Sequence, residues 1–212
     1  MMKVVRRHSS SHSPGILREL FHWLRGHEQL LVRAGDELPL VVISHPRGSA
    51  ALAEELRSAI CITHRAVSPQ ARQHYAPILQ QLPPMVVVVL RDRNACSCLG
   101  HHHRPGTEGR IARRLSSDTG LRVGEIDLAV EAIRLWEPLP LAALAAEAAA
   151  EDRQELEEFR FRIALLAVFF HELEHLAFPE NREQDVRRRS TEFYADSLRQ
   201  FFSEELGVRY GI

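Results

Sequence analysis

Residues 171 to 175 read His-Glu-Leu-Glu-His. On an α-helix, positions four apart lie on one face a single turn apart, so two imidazoles at this spacing can converge on one ion at the roughly 2.0–2.1 Å that zinc requires. Glu172, one residue on, turns away by about 100° and can reach a water beside that ion without ligating it. This is the layout for metal-assisted hydrolysis. The ion draws the water's pKa toward neutrality, Glu172 takes the proton as the water attacks a carbonyl, and the ion stabilises the resulting oxyanion. With 12 histidines in the chain, chance alone supplies roughly 0.07 copies of the pattern, so its setting carries the weight. The segment just before it, Ile163 to Phe170, is wholly apolar. A helix apolar on all sides is buried, and ionisable groups placed on it cost several kcal/mol unless something engages them. An ion would do so; a helix emerging into solvent after Phe170 is the other reading.

Catalytic zinc usually takes three protein ligands plus water. The metzincin spacing does not supply the third, because Phe178 and Asn181 stand where that pattern has glycine and histidine. A carboxylate from the next helix is the other route, and residues 190 to 198, STEFYADSL, offer Glu192 and, one turn later, Asp196. Asp185, Arg188, Arg189 and Arg199 share that side of the helical wheel, so a solvated face laced with ion pairs gives the same pattern, and Asp185 or Asp196 could replace Glu192 as ligand. The arginines could alternatively neutralise substrate carboxylates.

H-E-x-x-H followed by a helix bearing E-x-x-x-D, with alanine before the Asp, resembles the gluzincin metallopeptidases, including the thermolysin-like and ImmA/IrrE-like groups, over residues 163 to 198. The resemblance implies a zincin-like α+β fold, with a small mixed sheet packed on the active-site helix and a third-ligand helix after it. It implies Zn²⁺ held by His171, His175 and Glu192, with Glu172 as general base. Asp196 would stand behind a ligand histidine and fix its tautomer. The substrate is then a protein or peptide, held as an added strand along an edge strand above the site. Gly124 to Trp136 lies at about the right place in the chain to be that strand, a plain core strand or helix being the equal alternative. Tyr194, Tyr210 and His101 to His103 are candidates for steadying the oxyanion.

The elements that must position these residues read as follows. LPLVVISHP (38 to 46) and PMVVVVLRD (84 to 92) are β-branched runs bounded by proline or charge, hence strands buried on at least one face, with helical spacing between them. Residues 93 to 124 are rich in turn formers and basic, which predicts a long loop or insertion with one short element at most. Residues 124 to 136 alternate at Ile126, Leu128 and Val130 and then lose the alternation, favouring strand over helix. From Leu141 to Phe178 nearly every residue is a good helix former, giving one very long helix or two, closed by Pro179. A further helix follows, with Asn181 as its cap and Gly207 past its end. Residues 1 to 13 read as a flexible basic N-terminus and 14 to 212 as a single domain, with an α/β part over 14–92, the insertion over 93–124 and the catalytic helical part over 125–212.

A chain of 212 residues with a formal net charge of −1 and 45% apolar residues suits one soluble domain with no bulk field to recruit nucleic acid or anionic membrane. No apolar run approaches the roughly 18 residues of a membrane span. Three cysteines, Cys61, Cys96 and Cys98, without an apolar signal core predict free thiols and a cytoplasmic location, although MMKVVRRHSSSHS loosely matches an organellar transit peptide. Cys96, Cys98 and His101 to His103 form a cluster that suits a soft metal, yet C-x-C lacks the usual knuckle spacing, so a polar loop is the plainer reading. A thiol there folding over the zinc and holding it latent is a third idea. Two function classes compete with the peptidase: a zincin-shaped binding protein whose metal only stabilises the helical hairpin, and a regulatory domain with no metal.

Overall fold

The computed structural model describes residues 27–32, 39–46, 49–66, 77–78, 80–92, 94, 98–104, 106–136 and 150–201. Along the chain these form β1 (His27–Val32), β2 (Leu40–Pro46), α1 (Ala50–Ala66), β3 (Met85–Arg91), β4 (Gly100–His102), α2 (Arg110–Thr119), β5 (Val123–Ala129), α3 (Val130–Arg134), α4 (Ala150–Ala177) and α5 (Glu183–Phe201). The architecture is mixed α+β. Five strands lie in the order β1-β2-β3-β5-β4, with β2, β3 and β5 parallel at the centre and β1 and β4 antiparallel at the two edges.

The composition of β3 explains its central place. MVVVVLR has apolar side chains on both faces, and a parallel strand covered on both faces reads as a continuous β-branched run. Val86, Val88 and Leu90 join the core shared with α1 and α4, which includes Leu56, Leu165 and Phe169. Met85, Val87 and Val89 face the other way, against Ala112 and Leu115 of α2. The sheet therefore carries α1 and α4 on one side and α2 on the other. Helix α4 runs unbroken through its apolar stretch, with every residue from Ile163 to Phe170 buried.

Two expectations need correction here. Residues 93 to 124, read as a loop with at most one short element, contain both β4 and α2. Strand β4 has no alternation of its own and owes its form to pairing with β5, where Gly100, His101 and His102 face Leu128, Asp127 and Ile126. Helix α2 buries only Ala112 and Leu115 and stops at Gly120, whose φ of 68° is the left-handed conformation that glycine adopts without strain. The second correction concerns Gly124 to Trp136, which supplies the interior strand β5 followed by the short helix α3. The edge nearest α4 is β4. Residues 1–13, 141–149 and Gly207 lie outside the described residues.

Candidate metal centre

Helix α4 presents His171 and His175 one turn apart, with ring centroids 4.9 Å from each other. The first turn of α5 returns across them. Glu183 Oε2 lies 2.9 Å from Nε2 of His175 and 3.4 Å from Nε2 of His171. Ligand atoms held at about 2.0–2.1 Å in a tetrahedron lie roughly 3.4 Å apart, so this two-imidazole, one-carboxylate set has the donors and nearly the spacing that zinc takes. All three atoms fall within 4.8 Å of one another. A carboxylate in the first turn of a helix also gains from the helix dipole.

The loop between the helices is fixed by a second set of contacts. Glu174, buried on α4, accepts a hydrogen bond from Asn181 Nδ2 at 2.9 Å and pairs with the Arg189 guanidinium of α5. Asn181 thus ties the hairpin together instead of capping α5 through its side chain. This clamp sets the angle at which Glu183 reaches the imidazoles.

Glu172 is buried, and its Oε2 lies 3.1 Å from Nδ1 of His102 on β4. The His102 ring stacks on His175 at 5.2 Å. Such close approach of strand and helix needs a bare backbone at Gly100. A Cβ there would fall 2.6 Å from Glu172 Cγ and 2.8 Å from Val168 Cγ1. Together these groups open onto a cavity of about 460 Å³, also lined by Cys98, Trp136, Arg187 and Ser190. Burial holds the His171 pKa below the usual imidazole range, while the neighbouring Glu172 and Glu183 carboxylates pull it upward. A depressed value keeps the ring neutral at physiological pH, which is the form that ligates.

Of the residues expected from the sequence, the structure brings together His171, Glu172 and His175, and among the unranked histidines it selects His102. Glu192 does not join them. It lies nine residues, about 900° and therefore half a turn, from Glu183 on the same helix, is exposed, and accepts a hydrogen bond from Arg188 at 3.3 Å. The Asp196 side chain and Tyr210 lie outside what the structure describes. Sequence reasoning missed Glu183, eight residues beyond the second histidine of the H-E-x-x-H and just past the Pro179 turn. That position was findable once the hairpin is taken to be tight, because the first turn of the returning helix lies nearest the second histidine. The expectation of free thiols also fails at Cys98, which is disulfide-bonded.

Fold and site together define a mixed α+β protein with a two-histidine, one-carboxylate centre beneath an edge strand. Comparison with known protein families, with characterised proteins and with solved structures returns no match.

Proposed function

We propose that this chain is a zinc-dependent peptidase of zincin-like build, in which His171, His175 and Glu183 hold the ion and Glu172 is the general base. The observation that carries the reading is the convergence of Glu183 on both imidazoles while Glu172, from the helix that bears those imidazoles, opens onto the same cavity. When bound, zinc supplies Lewis acidity and lowers the pKa of water toward neutrality. Glu172 is placed to take the proton from the attacking water and to pass it to the departing amine. His102 fixes one oxygen of that carboxylate and, lying beside the ligands, offers a ring N–H to the charge that develops on the carbonyl oxygen. The outer edge of β4, unpaired by any described strand, can accept an extended peptide as a sixth strand. Arg187 at the cavity wall favours an acidic group on that peptide.

A second reading is a non-catalytic protein in which the ion only staples α4 to α5, favoured by the donors coming from both arms of that hairpin. The two separate on Glu172→Gln. For a peptidase, cleavage of a proteome-derived peptide library by the zinc-loaded wild type falls at least about 100-fold in the variant, with zinc content unchanged, and is abolished by chelator. Cleavage that persists in Glu172→Gln and in chelator sinks the proposal.

A further inference from the structure

We propose a second divalent-cation site, on the opposite face of the sheet, held by His103, Glu125 and Asp127. The alternation of strand residues creates it. His102 pairs with Ile126 and so faces α4, whereas the next residue continues the ladder, His103 N–H donating to Glu125 O at 2.9 Å, and faces the other way. Glu125 and Asp127 share that second face, where an interior strand of this sheet otherwise carries valine and methionine. His103 Nε2 lies 3.3 Å from Asp127 Oδ2 and 3.9 Å from Glu125 Oε1, and donor atoms of all three side chains lie within 4.8 Å of one another. These separations bracket the ligand-to-ligand spacing of a four-coordinate zinc, about 3.4 Å.

The described groups leave the cluster incomplete. Asp127 is 7% exposed, and its Oδ1 is shut from water with no hydrogen-bond partner among the described residues. Arg91, half exposed, meets Oδ2 at 2.9 Å, and Gly109 N–H donates to Glu125 Oε2 at 2.6 Å. Among the described residues, one guanidinium therefore stands against two buried carboxylates. Burial, opposed by His103 and reinforced by Asp127, pushes the Glu125 carboxyl above the usual range. A divalent ion supplies the missing charge and a partner for Oδ1. The imidazole nitrogen selects a borderline transition ion such as Zn²⁺ or Fe²⁺ over Mg²⁺ or Ca²⁺, which prefer all-oxygen shells.

The site is independent of the α4 centre, so the two are counted separately. Full-length protein is stripped with chelator and titrated with Zn²⁺, following stoichiometry by calorimetry and elemental analysis. Wild type is expected to take up two equivalents, a His171→Ala/His175→Ala double variant one, and Asp127→Asn or His103→Ala one. In the double variant, Zn²⁺ should still raise the thermal midpoint, a readout that leaves the cluster intact. Uptake of no zinc by the double variant, or an unchanged stoichiometry in both Asp127→Asn and His103→Ala, overturns this second site. A single wild-type equivalent that survives in the double variant supports it and removes the α4 centre instead.

Discussion

At the scale of single residues the proposed zinc centre turns on which carboxylate would complete its ligand set. Glu183 and Glu192 lie on one helix, yet half a turn separates them, and only Glu183 reaches the imidazoles. Glu183→Gln is therefore expected to weaken zinc binding by about 10–100-fold or more, since a ligand is a stronger contributor than the outer partners for which that range holds. Glu192→Gln should leave it unchanged, because an exposed i,i+4 pair with Arg188 contributes at most about 0.5 kcal/mol. Competition against a chromophoric chelator measures both, and the reverse ranking would move the third ligand to Glu192. The gluzincin resemblance pointed to Glu192, whereas the carboxylate of this helix that lies beside the imidazoles is Glu183.

At the scale of elements, the site is a contact between a strand and a helix. β4 is short and has almost no apolar content, so among the described residues its hydrogen bonds to β5 and its approach to α4 hold it in place. Gly100 makes that approach feasible. Gly100→Ala is expected to cost about 1–3 kcal/mol, the usual range for overpacking a filled site, and to displace Glu172 from His102. Thermal denaturation should show the loss, and turnover should drop while zinc content stays at the wild-type level. Unaltered stability and turnover would mean that β4 stands further from α4. The buried Arg160 performs a comparable task beneath the site, donating to the Trp136 and Arg134 carbonyls at 2.9 and 2.8 Å and so fixing α3 to α4. It occupies carbonyls that the short helix α3 leaves open at its C-terminal end.

At the scale of the whole molecule, pH links the site to stability. The folded-state pKa of His171 lies below its unfolded value of about 6.5. The fold therefore favours the neutral ring. Its contribution is complete above about pH 6.5 and is lost as pH falls from there through the lowered folded value. Glu125, pushed upward, acts in the opposite sense: its contribution is present at low pH and lost as pH rises through the raised value. Metal-free wild type should accordingly lose thermal stability on acidification below about pH 6.5, by more than His171→Gln does. Equal slopes for the two proteins would show that His171 is unperturbed. No described helix is long and apolar enough to cross a membrane.

Some of this protein was settled by local sequence alone. The H-E-x-x-H spacing on an apolar helix pointed to three residues that the structure brings to one cavity, because helical periodicity is a short-range property and the burial of α4 follows from its own side chains. The continuous valine run of β3 likewise declared a strand buried on at least one face, and its interior place came only with the sheet order. Tertiary structure decided the rest. Glu183, His102 and Gly100 carry no local signal, since each matters through a partner on another element: Glu183 through the angle of a hairpin clamped by Glu174 and Arg189, His102 through the register of β4 on β5, and Gly100 through the distance between a strand and a helix. The same register, invisible in the string HHH, sends His102 to one face of the sheet and His103 to the other. Backbone pairing between distant segments chose those faces, and a side chain's own chemistry cannot specify which face it will meet.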